Sequence, residues 1–84
     1  MKEKLVGEIT HYFGKIDVAI IKVKDVLKEG DTIHIKGKET DFTQNVSSIQ
    51  VDHENVGVAK KGSMVGIKVT GKIKEGDEVF LVSN

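Results

Sequence analysis

The chain has 84 residues, thirteen basic side chains that are all lysine, thirteen acidic ones, and neither cysteine nor proline. That length holds one domain with a single core and leaves no room for a separate catalytic domain beside it. The missing cysteines exclude a disulfide framework, a thiolate zinc site and cysteine catalysis, and the balanced charge gives no global attraction to nucleic acid.

The start MKEKLVGEIT lacks the apolar core of a leader, and no apolar run approaches the length that spans a bilayer, so the expectation is a cytoplasmic chain without a membrane partner. Abundant Lys and Glu with few Asn and Gln fits a thermophilic source. Six apolar stretches follow, none with helical spacing over ten or more residues. The first runs from Leu5 to Phe13, with Gly7 placed for a bulge or a close backbone approach. The turn at Gly14-Lys15 leads to IDVAIIKVK, whose nearly continuous apolar centre predicts a strand covered on both sides. Next come TIHIK, with Ile33 and Ile35 inward, and a long segment from Thr40 to His53. Its inward parity shifts between Val46 and Ile49, which predicts a bend where one strand serves two sheet edges. MVGIKV and EVFLV close the series.

Lys-Glu-Gly-Asp occurs twice, at 28–31 and 74–77, and the match extends through strands on either side. At an offset of 46, seven of seventeen positions from 19–35 are identical in 65–81: Ile21, Lys22, Val23, Lys28, Glu29, Gly30 and Asp31 recur as Ile67, Lys68, Val69, Lys74, Glu75, Gly76 and Asp77. Each copy reads as strand, glycine turn, strand, which predicts two related hairpins. Short strands without helical crossovers predict an all-β fold, a small closed six-stranded antiparallel barrel over residues 1–84, because closure removes exposed edges.

Val46, Ser48 and Ile49, then His53 and Glu54, then Ala59, Gly62, Val65 and Gly66, together with the opening Val6, Gly7 and Ile9 and the Leu-Lys-Glu-Gly-Asp turn, resemble the second domain of translational GTPases of the elongation factor Tu type. The resemblance implies a translation-factor-like β-barrel that binds tRNA or rRNA or docks on the translation apparatus. No Gly-x-x-x-x-Gly-Lys-Ser/Thr loop is present, so GTP binding is not expected. Similar barrels also form the C-terminal domain of collagenase-like peptidases involved in RNA modification. That implies the alternative, an accessory protein-interaction module for a peptidase-like or RNA-modifying enzyme.

No Ser-His-Asp arrangement or cofactor motif is recognisable, and the expectation is no enzyme and no cofactor. His11, His34 and His53 lie on different strands without the spacing of a metal motif, so no metal is expected. Lys60 and Lys61 before Gly62 place two charges and open backbone amides in one loop, and with Lys68, Lys72 and Lys74 they form the candidate phosphate-binding set. By strand parity Phe80 and Val82 point outward and form the candidate docking face, while of the adjacent Tyr12 and Phe13 one is core.

Overall fold

The computed structural model describes residues 2–52 and 54–83. Among these, ten strands form in chain order: β1 (Lys2–Phe13), β2 (Val18–Val23), β3 (Leu27–Lys28), β4 (Thr32–Lys36), β5 (Asp41–Asn45), β6 (Ile49–Val51), β7 (Glu54–Val56), β8 (Val58–Ala59), β9 (Met64–Lys68) and β10 (Glu78–Ser83). No helix occurs among the described residues, so none is long and apolar enough to cross a membrane. Alternation drives the strands. In β4 the inward Ile33 and Ile35 are fully buried while Lys36 is exposed, and the inward residues of β1, β2, β9 and β10 join them in one core. Each such isoleucine contributes about 1.5–3 kcal/mol by leaving water.

The all-β expectation holds, but the six-stranded closed barrel does not. Eight strands form one antiparallel sheet in the order β5-β4-β10-β1-β2-β9-β6-β7, and β3 and β8 form a separate ribbon. The sheet stays open because of the parity shift at Val46–Ile49. Two long segments each serve two neighbours. β1 does so without a break, pairing with β10 through its first half and with β2 through its second, and it absorbs the change in register shifts at Leu5/Gly7 and Ile9/His11. At Gly7 a Cβ would lie 2.5 Å from Ile21 Cγ2, so only glycine lets the strands approach there. The segment 41–51 instead breaks at 46–48, leaving β5 on β4 and β6 on β9. The gap is laced by one side chain: the buried Gln44 amide donates to the Lys68 carbonyl at 2.9 Å and accepts from the Thr70 N–H at 2.8 Å.

The predicted hairpins are also corrected. Both copies are strand, turn, strand, but the strands flanking each turn do not pair with each other. β2 pairs with β9 and β4 with β10, so the copies interlock. The turns themselves are near-identical. Gly30 and Gly76 both have φ of 92°. Asp31 Oδ2 accepts from the Lys28 N–H at 2.8 Å, and Asp77 Oδ2 from the Lys74 N–H at 2.9 Å. Outside each turn, Gly30 N–H donates to the Val46 carbonyl and Gly76 N–H to the Ile9 carbonyl, both at 2.8 Å. A turn whose outer backbone groups are held by a third segment, the break at Val46 or β1 at Ile9, cannot also close a two-stranded hairpin, and the chain swings away.

Candidate functional site

The ladder makes Ile20 the partner of Gly66, and His34 the partner of Phe80. Each pair is also related by the repeat offset of 46, so the internal two-fold axis passes between the members of each pair. The neighbours of Ile20 and His34, namely Ala19, Ile21, Ile33 and Ile35, are fully buried. Ile20 and His34 therefore point outward, and the axis leaves the domain at two outer faces.

The Ile20–Gly66 face is apolar at its centre and flanked by the exposed Lys22 and Lys68, which pair opposite Met64 and Val18. Phe13, Ile16 and Met64 are 50%, 61% and 47% exposed, and the half-buried Val18 and Ile20 lie between them. They line a groove of about 360 Å³ with Gly66, Gln50 and Asp52. A Cβ on Gly66 would meet Val18 Cγ1 at 3.4 Å and Ile20 Cδ1 at 3.7 Å, so both side chains lean over the glycine. The expectation of a strand covered on both sides fails here. The inner face of β2 is buried, and its outer face is only partly covered, Val18 and Ile20 being half-buried and Lys22 exposed. Tyr12 packs against the core while its neighbour Phe13 is exposed, as alternation requires. Sequence reasoning singles out neither Ile16 nor Met64, and Phe13 only as the neighbour of Tyr12, although the apolar Val18 and Ile20 at outward parity are a legible signal.

The His34–Phe80 face is polar by comparison. Phe80, paired with His34, and Val82 are both half-buried, and neither is broadly exposed. His34 Nδ1 lies 2.8 Å from Glu3 Oε2, and its Nε2 contacts Asp41. Asp41 and then Glu3 raise the His34 pKa above its ordinary value, and His34 in turn lowers that of Asp41. Thr32 Oγ1 donates to Asn45 Oδ1 at 2.9 Å on the same side. The imidazole thus ties β4 to β5 and, across β10, to β1.

The lysines divide between two ends of β9. Lys60, Lys61 and Gly62 form the turn into β9, held by the Gly62 N–H to the Val23 carbonyl at 2.7 Å. The Lys61 charge helps to lower the pKa of Asp25, whose main partner is Lys4. Lys68 lies at the other end of β9, opposite Val18, about 13 Å along the strand from Met64 at 3.3 Å per residue. Lys72 and Lys74 line a cleft of about 580 Å³ near that end with Tyr12, Gly14, Asp17 and Ile73. Lys74 pairs with Glu39, which raises its pKa. Of the histidines, His11 sits 3.5 Å from Glu75, apart from His34, and His53 lies outside the described residues.

No protein-family model matches the chain. It is similar to an uncharacterized protease of Methanocaldococcus jannaschii, 41% identical over 78 residues, a match covering 92% of this chain and 19% of that protein. The chain spans about a fifth of the length of that curated relative. Among solved structures it is similar to the C-terminal domain of a protein of Geobacillus thermoleovorans described as a U32 peptidase, with a TM-score of 0.90, 18% identity, and 95% and 93% of the two chains covered. A selenomethionine form of the same domain gives a TM-score of 0.86, 20% identity, and 90% and 96% coverage. At those identities the likeness establishes the fold.

These findings overturn the resemblance to translational GTPases and the translation-factor reading built on it. The physical reason lies in the motifs. Val46 to Ile49 is the strand break and Leu-Lys-Glu-Gly-Asp is the turn, so both are imposed by backbone geometry. The expectation of no enzyme is corrected as well, because the relative of 41% identity is named as a protease.

Proposed function

We propose that this domain is an accessory module of a U32-type peptidase and that it docks on the rest of the peptidase through the Ile20–Gly66 face. The observation that supports this is an apolar outer face, with Phe13, Ile16 and Met64 each about half exposed, on a domain whose 41%-identical relative is about five times as long. An outward cluster of this kind is stabilised by burial against a second surface. Val18 and Ile20, leaning over Gly66, form the apolar floor on which a partner side chain packs, and Ile16, the most exposed of Phe13, Ile16 and Met64, is the anchor.

The test is isothermal titration of the domain against the remaining part of a U32-type peptidase from the same source, produced as a separate chain. The expected result is one-to-one association, weakened about 30-fold by Ile16→Asp, which corresponds to roughly 2 kcal/mol. Added salt changes it little, since the contact is apolar. Loss on Phe80→Ala instead moves the interface to the opposite face. A steep fall with salt and with Lys60→Glu plus Lys61→Glu moves it to the lysine turn. No association at all overturns the proposal.

A further inference from the structure

The two copies of the repeat differ at one place beside the turn, and the difference leaves a backbone edge unpaired. In the first copy the residues before the turn are covered by β8. Leu27 pairs with Ala59 and Lys28 with Val58, antiparallel, and the Glu29 N–H donates to the Gly57 carbonyl at 2.9 Å. In the second copy the equivalents are Ile73, Lys74 and Glu75. Among the described residues no strand pairs with them, and neither Ile73 nor the Glu75 N–H has a backbone hydrogen bond. Beside Ile73 lies the 580 Å³ cleft.

The internal symmetry explains how the open edge arises. The Val23 N–H donates to the Ser63 carbonyl at 2.8 Å, and at the same offset of 46 the Val69 N–H donates to the Asp17 carbonyl at 2.8 Å. Asp17 therefore stands where Ser63 does, and Tyr12 where Val58 does. But Tyr12 and Phe13 pair with Ala19 and Val18 of β2 and run straight into the Gly14–Asp17 turn. The first copy makes a detour through β7 and β8, and the second does not. Its cleft is lined by Tyr12, Gly14, Glu39, Thr40, Gly71 and the largely buried Ile73.

We propose that this cleft binds an extended peptide by strand addition, antiparallel to residues 72–75, in the place that Gly57–Ala59 takes in the first copy. The chain itself supplies the template for the ligand. Bonded and non-bonded pairs alternate along an antiparallel ladder. The Glu29–Gly57 bond therefore makes Leu27–Ala59 the next bonded pair, and in the second copy Glu75 N–H and both backbone groups of Ile73 receive the ligand. Ala59 is buried against Leu27 while Val58 points to solvent. The ligand accordingly carries a small apolar residue opposite Ile73, and its outward neighbour is unrestricted. Main-chain bonding supplies affinity and the single inward position supplies selectivity. This site rests on the internal symmetry and does not depend on the peptidase reading.

The experiment is a ¹⁵N-correlation titration of the domain with a synthetic peptide of sequence NVGVAKK, residues 55–61 of the chain. Saturable shifts are expected at 71–75, Tyr12 and Gly14, with none at 27–29, where β8 already occupies the slot. Glu75→Pro removes the N–H at the second residue of a turn whose Asp77 N–H to Lys74 carbonyl bond is 3.1 Å and whose third residue has φ of 92°, a type II geometry that accepts proline there. It should weaken binding at least about 10-fold, because one of the few main-chain bonds is lost. The peptide N-methylated at its alanine cannot donate to the Ile73 carbonyl and should bind as weakly, with no change to the protein. Absence of shifts at millimolar peptide, shifts confined to other regions, or full binding by both the proline variant and the methylated peptide would each overturn the proposal.

Discussion

The first copy of the repeat ends against β8, and the second ends beside a cleft with no paired strand among the described residues, although the turns that follow are bonded alike. The same contrast recurs where the internal axis leaves the molecule. On one side the repeat equivalents are Ile20 and Gly66, a side chain over a bare strand, set in an exposed apolar patch. On the other they are His34 and Phe80, with the imidazole fastened between two carboxylates and the ring half-covered. The two copies share backbone geometry where hydrogen bonds fix the turns. They differ in residue type on the outer surface, where the apolar patch lies.

The comparison breaks most readily at the two turn aspartates. Asp77 is buried and Asp31 is only partly so, yet each accepts from the N–H of the lysine three residues earlier. Asp77→Ala should cost about 3 kcal/mol and Asp31→Ala about 1 kcal/mol in urea unfolding, because a buried donor left without a partner costs more than one that water reaches. Equal losses would mean that the two turns are solvated alike.

A smaller effect separates the residues after the lysines. Glu29→Pro deletes the bond to Gly57 and should cost about 1 kcal/mol, a fall in melting temperature of roughly 4–8 °C for a domain of this size. Glu75→Pro deletes no backbone bond among the described residues and should leave the melting temperature unchanged or raise it slightly, through the stiffer unfolded chain. Its ion pair with His11 is exposed and contributes little.

The smallest effect concerns pH. The raised His34 value means that its contribution to stability is fully present below the ordinary 6.5 and is lost as pH rises through the raised folded value. Asp41 runs the other way: its lowered value gives a contribution present above the ordinary 3.8 and lost as pH falls through the folded value. The pair therefore supports the fold best between those limits. His34→Phe, which copies the second repeat, should abolish the difference in melting temperature between about pH 6 and about pH 9 that the imidazole causes. A difference that persists in the variant assigns it to other groups.

The strands, their inward residues and the doubled turn are readable because each rests on a local rule. Alternation buries Ile33 and Ile35, and glycine alone suits φ of 92° at Gly30 and Gly76. The shift between Val46 and Ile49 marks the place where a strand changes neighbours, and Gly7 marks the close approach to Ile21. The candidate surfaces are less legible. Phe80 and Val82 are only half-buried, and the more exposed Ile16 and Met64 carry no local mark, because strand parity says which way a side chain points and not what lies over it.

The all-β class, the two equivalent turns and the alternation that fills the core follow from local sequence. Which strands become neighbours is settled only when the whole chain packs. The flanking strands of each repeat pair across copies, the ring opens at 46–48, and the edge beside Ile73 stays open while the edge beside Leu27 is covered. The physical reason is that turns and alternation are set by residues a few positions apart, whereas pairing is chosen by backbone groups tens of residues apart. A Val46 or Ile9 backbone group that reaches a turn first removes it from every other ladder.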